Sequence, residues 1–342
     1  MPELRYDPVR WRWTIISPER GLRPKDFQRK KEEVPPKDNC PFCEGNEDKT
    51  PKEVFSIRRE GTQRDKPGWK VRVVPNKFPA LRIEGELVRR GVGLFDHVSG
   101  IGAHEVIIET PEHETQLQDM NPDDIKNVLI AFKERYIDLT KDIRFRYILI
   151  FKNYGREAGA SLYHSHSQLI ATPIIPLAVV AELEAAKEHY KRKERCIFCD
   201  LIEQEVSLGE RIVYRTEKFL VWCPYASSFP FETWIFPLRH SHDFTLMDNE
   251  EMKDLSIVLK DVLLRIKLLL NDPPYNFVIH TSPIIRPRPG RPYYWETIHL
   301  DYHFHIEIIP RITHIAGFEW GSGFYINPIS PEEAARYLRE IK

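Results

Sequence analysis

His164-Ser165-His166-Ser167-Gln168 and its counterpart His303-Phe304-His305-Ile306-Glu307 decide the reading of this 342-residue chain, because each closes a series of features that occurs twice in the same order. The first series runs from Cys40-Pro41-Phe42-Cys43 through Phe78-Pro79 and Glu105-Val106-Ile107-Ile108 to His113. The second runs from Cys196-Ile197-Phe198-Cys199 through Phe229-Pro230 and Glu232-Thr233-Trp234-Ile235-Phe236 to His240. In both, the glutamate precedes the histidine by eight residues. A helix and a strand then follow. The first helix is announced by Asn121 as N-cap, Pro122 at the first helical position and apolar Ile125, Val128, Leu129, Phe132 and Tyr136 at helical spacing. The second carries Leu255, Val258, Leu259, Val262 and Ile266 on one face. Tyr147 to Phe151 and Phe277 to His280 are short apolar runs of the buried-strand type. The expectation is an α/β (α+β) fold made of a duplicated unit, with an antiparallel or mixed sheet and one major helix per half. The halves divide as 1–177 and 178–342, joined by a helical connection from Ala178 to Lys193.

Composition narrows the function. Hydrophobic residues at 42% and charged residues at 30% describe a chain that folds rather than a disordered one. The net charge is −1, and the one modest basic cluster, Arg29-Lys30-Lys31, runs straight into two acids, which argues against nucleic acid as a partner. No apolar stretch reaches the roughly 20 residues that cross a bilayer, and Met1 to Arg5 lacks a signal-peptide core, so no membrane partner and a cytoplasmic location are expected. Four of the five cysteines form two C-x-x-C pairs, with Cys223 left over. In a reducing compartment such pairs read as metal ligands before disulfides.

Each pair is followed by one histidine after the strand region and another opening the H-x-H segment. The ligand sets are therefore Cys40, Cys43, His113 and His164, and Cys196, Cys199, His240 and His303. Two thiolates and two imidazoles suit tetrahedral Zn²⁺, and four protein ligands leave no position for water, the structural rather than catalytic arrangement. A single C-x-x-C reads equally well as a pair of small buried thiols. Repetition at equivalent positions shifts the reading to one structural zinc site and a second in the other half, where His242 stands as an alternative to His240.

In an extended segment, His164, His166 and Gln168 share a face at about 6.6 Å per two residues. One histidine can then hold zinc while the next faces substrate. A neutral imidazole is a good nucleophile toward phosphorus, and Gln168 offers an amide donor to a phosphoryl oxygen. Upstream, Asn153 to Ser161 contains Gly155 and Gly159, which permit close backbone approach to a ligand, and Ser161 adds a hydroxyl. In the second half Glu307 stands in place of the glutamine and would repel a phosphate, so that half reads as non-catalytic, and His104 reads as an ordinary histidine. Pro283 to Pro292, with four prolines and three arginines, reads as an exposed loop or lid.

These segments, with Ser17 to Pro24, Asn76-Lys77-Phe78-Pro79, Thr110 to His113 and Glu332 to Leu338, resemble the galactose-1-phosphate uridylyltransferases of the histidine-triad superfamily over nearly the whole chain. The resemblance implies His166 as nucleophile and Gln168 and Ser161 as phosphoryl contacts. It implies Asn76 and Asn153 near the nucleotide, Arg20 and Arg23 near substrate phosphate, and Cys40, Cys43, His113 and His164 on zinc. It also implies a homodimer with sites near the subunit interface, and a nucleotide sugar and a hexose 1-phosphate as partners. Uridine monophosphate is the expected cargo. The family's usual H-P-H-G-Q is replaced here by a segment with Ser165 and Ser167, which looks more like the plant-type ADP-glucose phosphorylases, as do the second C-x-x-C and the tail Gly317 to Gly323, where Phe318 is a substrate-binding candidate. That branch makes an adenylyl enzyme with phosphate as acceptor the alternative. Hydrolysis, or a zinc scaffold without chemistry, stands further off.

Overall fold

The computed structural model describes residues 1–20, 24–27, 34–287 and 294–341. The candidate Arg23 lies outside the described residues, and nothing is described of the Arg20 side chain.

An antiparallel hairpin of β1 (Glu3–Asp7) and β2 (Arg12–Ile16) opens the chain. The first repeat then lays down β3 (Phe55–Arg58), β4 (Trp69–Pro75), a separate hairpin of β5 (Arg89–Val92) and β6 (Phe95–Val98), and β7 (Ala103–Ile108). It continues with α1 (Pro122–Leu139), β8 (Tyr147–Tyr154) and β9 (His166–Thr172). The connection is α2 (Leu177–Lys193). The second repeat contains α3 (Ile197–Leu208), β10 (Ile212–Arg215), β11 (Phe219–Trp222), β12 (Thr233–Pro237), α4 (Asn249–Leu270), β13 (Tyr275–His280), α5 (Ile298–Asp301) and β14 (His305–Pro310). A tail of α6 (Gly317–Ser322), β15 (Tyr325–Asn327) and α7 (Pro331–Glu340) follows, with β15 parallel to β2.

The duplication is visible in the ten-stranded sheet, whose order is β10-β11-β12-β14-β13-β8-β9-β7-β4-β3. Read from either edge, each half contributes its strands in the same sequence, and β13 pairs antiparallel with β8 at the seam, from Tyr275 opposite Tyr154 to Ile279 opposite Ile150. Pairing along the whole sheet is antiparallel. The helices α1 and α4 occupy equivalent positions in the two repeats and pack side by side over one face, where Phe132 and Phe277 meet at 6.3 Å between ring centroids. Burying one such ring contributes about 2–3 kcal/mol.

Both helices start where their caps dictate. Asn121 Oδ1 accepts from Asp124 N–H at 2.9 Å ahead of Pro122, as the sequence suggests. Asp248 and Glu251 form a reciprocal capping box at the start of α4, a signal the apolar spacing alone did not use. The H-x-H-x-Q segment differs from expectation at one end. β9 begins at His166, and His164 sits at a bend immediately before it, which frees its ring to turn toward the thiols.

Candidate active site

On β7, His104, Val106 and Ile108 alternate onto one face of the sheet, and in register beside them β9 presents Ile170, Gln168 and His166. This face lies opposite the one covered by α1 and α4. Phe42, from the loop carrying the first C-x-x-C, packs edge-on against His166 at 5.3 Å and joins a small apolar cluster with Val106 and Ile108.

The His166 imidazole is fixed by its own strand. Nδ1 lies 2.8 Å from the His164 carbonyl, which can only accept, so Nδ1 carries the proton and Nε2 keeps a free lone pair. Burial lowers the pKa of His166 below the ordinary imidazole value, opposed by the His164 carbonyl and reinforced by Lys152. The ring is therefore neutral near pH 7, as a nucleophile must be.

Beside it, Gln168 is oriented by a residue that sequence reasoning set aside. Ala80 N–H donates to His104 Nδ1 at 3.1 Å, so His104 carries its proton on Nε2 and donates to Gln168 Oε1 at 2.8 Å. With its oxygen engaged, Gln168 has its NH₂ left to donate. Asn76 flanks the same ring, its Oδ1 accepting from Phe78 N–H. Asn153 is held from across the seam: Asn276 of β13 donates to Asn153 Oδ1 and to Ala158 O, each at 2.8 Å. Gly159 has φ +93°, and a Cβ there would meet the Asn153 amide at 3.4 Å, which accounts for glycine at that turn. Ser161 and Gly155 line a cavity of about 540 Å³ together with Cys40 and His113, and Asn76 and His104 line a second of about 850 Å³ with Arg82 and Arg135. Phe318 is not gathered in with these residues. It stands half-exposed on α6, which packs chiefly on β15.

The first cysteine–histidine set converges. Cys43 Sγ is 3.2 Å from His113 Nδ1, and His164 Nδ1 is 3.6 Å from both Cys40 and Cys43 Sγ. Ligand atoms bound at about 2.0–2.3 Å to a tetrahedral zinc are separated by about 3.6 Å, so the spacing fits. The tautomers fit as well, because His113 Nε2 donates to Pro35 O at 2.8 Å and His164 Nε2 to Thr110 O at 2.7 Å, aiming both Nδ1 lone pairs at the thiols. Burial pushes the His164 pKa down to about 4, which keeps its ring neutral. In the second set Cys199 Sγ lies 3.3 Å from His240 Nδ1 and 3.6 Å from His303 Nδ1, with Cys196 completing the group. Here His240 is the residue brought in, while His242 Nδ1 contacts Ser282 Oγ at 3.0 Å.

The second half keeps the frame of the first but is filled. His305 Nδ1 faces the His303 carbonyl at 3.2 Å, as His166 faces His164, yet the ring is wholly buried under α2 and stacked on His280 at 4.7 Å. Glu307 does not stand as a bare charge that would repel phosphate. It is paired with Arg10, which leaves the β1–β2 turn, lies over Trp234 and also bonds Glu232 at 2.9 Å. Glu182, His280, His305 and Glu307 bring four donor atoms within 4.8 Å of one another, a set a divalent cation could accept, and neither Glu182 nor His280 was singled out from the sequence. Burial works against a charged His280, but Glu182 and Glu307 outweigh it and raise its pKa to about 10.

Comparison with known proteins finds relatives along the whole chain. Residues 1–176 match the family described as galactose-1-phosphate uridyl transferase, N-terminal domain, and residues 148–340 match its C-terminal domain. An ADP-glucose phosphorylase from Arabidopsis thaliana is 38% identical over 99% of this chain and 93% of its own. A galactose-1-phosphate uridylyltransferase from Thermotoga maritima is 32% identical over 100% of this chain and 99% of its own. The crystal structure of an ADP-glucose phosphorylase from Arabidopsis thaliana with bound ADP-glucose superposes with a TM-score of 0.82 at 35% identity, covering all of both chains.

Proposed function

The chain belongs to the galactose-1-phosphate uridylyltransferase family, and from that premise we propose that it moves a nucleoside monophosphate from a nucleotide sugar to a phosphate acceptor through a covalent intermediate on His166. The observation that carries the proposal is the His166 ring, with Nδ1 committed to the His164 carbonyl and Nε2 free beside the Gln168 amide. Nε2 attacks the α-phosphorus, and the P–O bond to the leaving sugar 1-phosphate breaks with its electron pair on oxygen. The new P–N bond leaves a charged imidazolium whose Nδ1–H is held by the His164 carbonyl. An acceptor phosphate oxygen then attacks the same phosphorus, and the P–N electrons return to Nε2. Gln168, its oxygen tied to His104, donates to a phosphoryl oxygen in both steps. Cys40, Cys43, His113 and His164 would hold a zinc ion, which would tie the Phe42 loop to the segment carrying His166 and serve a structural rather than a chemical role.

Two donors fit the family. ADP-glucose with inorganic phosphate as acceptor is the first reading, favoured by the identity to the plant phosphorylase and by the match to its ADP-glucose complex. Uridylyl transfer from UDP-glucose to a hexose 1-phosphate, the expectation from sequence, is the second, supported by the Thermotoga maritima relative. The proposal includes a cytoplasmic homodimer, in which Phe318 on α6 is available to a second copy's site. Intact-mass measurement after mixing with ADP-glucose or UDP-glucose tests the covalent path and the donor: the mass added to the protein names the nucleotide, and no addition from either donor refutes the covalent path.

A further inference from the structure

The two serines that replace proline and glycine in the family's usual motif point away from the site, into the core beneath the nucleophile. There they meet a buried ion pair to which the reaction assigns no role. Lys152 on β8 and Glu109, just after β7, are each about 1% exposed, and Ser165 and Ser167 no more than that. Lys152 Nζ donates to Glu109 Oε2 at 2.6 Å, to Ser165 Oγ at 3.1 Å and to the His166 carbonyl at 3.1 Å. Ser165 Oγ donates to Glu109 Oε2 at 2.5 Å and Ser167 Oγ to Glu109 Oε1. The three ammonium protons therefore have three acceptors, and both carboxylate oxygens are engaged. Glu109 is held below the usual carboxylate range because Lys152 and the hydroxyls outweigh its burial.

Placement makes this more than a satisfied core network. The β8–β9 ladder ends at Phe151 opposite Gln168, so the register gives His166 no partner on β8. Its carbonyl accepts from the Lys152 side chain instead. The network thus grips three consecutive residues of the nucleophile segment from below: the Ser165 hydroxyl, the His166 carbonyl and the Ser167 hydroxyl. Because the His166 ring is oriented by the His164 carbonyl two residues away, its direction follows the main chain that these contacts hold.

Building on the proposed His166 chemistry, we propose that Lys152, Glu109, Ser165 and Ser167 are positioning residues that fix the main chain of His166 so that Nε2 keeps one attack geometry in both half-reactions.

A buried pair broken on one side destabilises a fold, whereas removing both charges together is often tolerated. The deciding variant is therefore Glu109→Gln with Lys152→Met, in which the introduced amide still offers the serine hydroxyls a partner. Expected is a melting temperature close to wild type, a KM for the nucleotide sugar within about threefold, and a kcat lower by about 100-fold, the scale of loss that a displacement of about 1 Å produces. Ser165→Ala and Ser167→Ala, measured singly, should each lower kcat by about 3- to 10-fold with KM retained, and Ser165→Thr, which restores the hydroxyl, should recover most of the loss. A stable double variant with wild-type kcat overturns the inference. Should that variant fail to fold, wild-type kcat in both serine-to-alanine variants overturns it equally. The wild-type adduct is the control: its absence refutes the His166 chemistry itself, whereas a normal adduct rate in the variants refutes only the positioning role.

Discussion

Replacing His104 by phenylalanine removes the donor to Gln168 and the acceptor of the exposed Ala80 N–H, and leaves the proposed nucleophile His166 and the candidate zinc ligands in place. In the wild type, Ala80 N–H fixes the His104 tautomer and His104 Nε2 fixes Gln168 Oε1 at 2.8 Å. That bond joins neutral partners, so its net value is about 0.5–1.5 kcal/mol. Its loss lets the Gln168 amide rotate and present oxygen instead of NH₂ to the phosphoryl group, which lowers kcat/KM by about 2- to 13-fold. Removing the amide itself with Gln168→Ala deletes a donor to developing charge and should cost at least about 100-fold. The two effects share one path, so His104→Phe should add little in the Gln168→Ala background. The assay is steady-state kcat/KM for the nucleotide sugar in the four proteins of this cycle, with zinc content measured in each. Additive losses, or a His104→Phe enzyme indistinguishable from wild type, would refute the argument that His104 acts through Gln168.

His166→Ala should abolish both the nucleotide adduct and turnover while leaving zinc content unchanged, because no ligand is removed; elemental analysis beside intact mass checks both halves of that statement. Cys40→Ser should lower zinc content and reduce the melting temperature by roughly 5 °C or more, since metal binding at a closed site is coupled to folding; unchanged stability in a zinc-depleted variant would contradict it. Exchange of labelled sugar 1-phosphate into the nucleotide sugar should proceed without a second acceptor, and strict dependence on that acceptor would indicate direct transfer in a ternary complex. Glu332 is partly buried at the foot of α7, yet hydrogen bonds from Arg5 and Arg211 outweigh burial and lower its pKa. Its contribution is present above the unfolded carboxyl value of about 4.3 and is lost as pH falls through the lower folded value, so Glu332→Gln should depress the melting temperature at pH 7 and cease to matter in acid.

The sequence by itself determined the duplication, the first Cys₂His₂ set and the placement of His166 and Gln168 on one strand, and left the second set open between His240 and His242. These are local properties: a cap such as Asn121-Pro122, a C-x-x-C loop and an alternating strand are written in neighbouring residues. Tertiary structure alone decided which distant residues complete the site. His104 meets Gln168 because β7 and β9 pair with His104 opposite Ile170, and no feature of either segment announces that register. Asn276 reaches Asn153 only because the two repeats join at β13 and β8, and Lys152 reaches the His166 carbonyl only because the β8–β9 ladder stops short of it. Glu307 looked like a bare repulsive charge in the sequence, whereas the fold supplies Arg10 from 297 residues away. Strand pairing is specified by burial summed over whole faces of a sheet rather than by any one residue, so these polar partners become visible only once the sheet has closed.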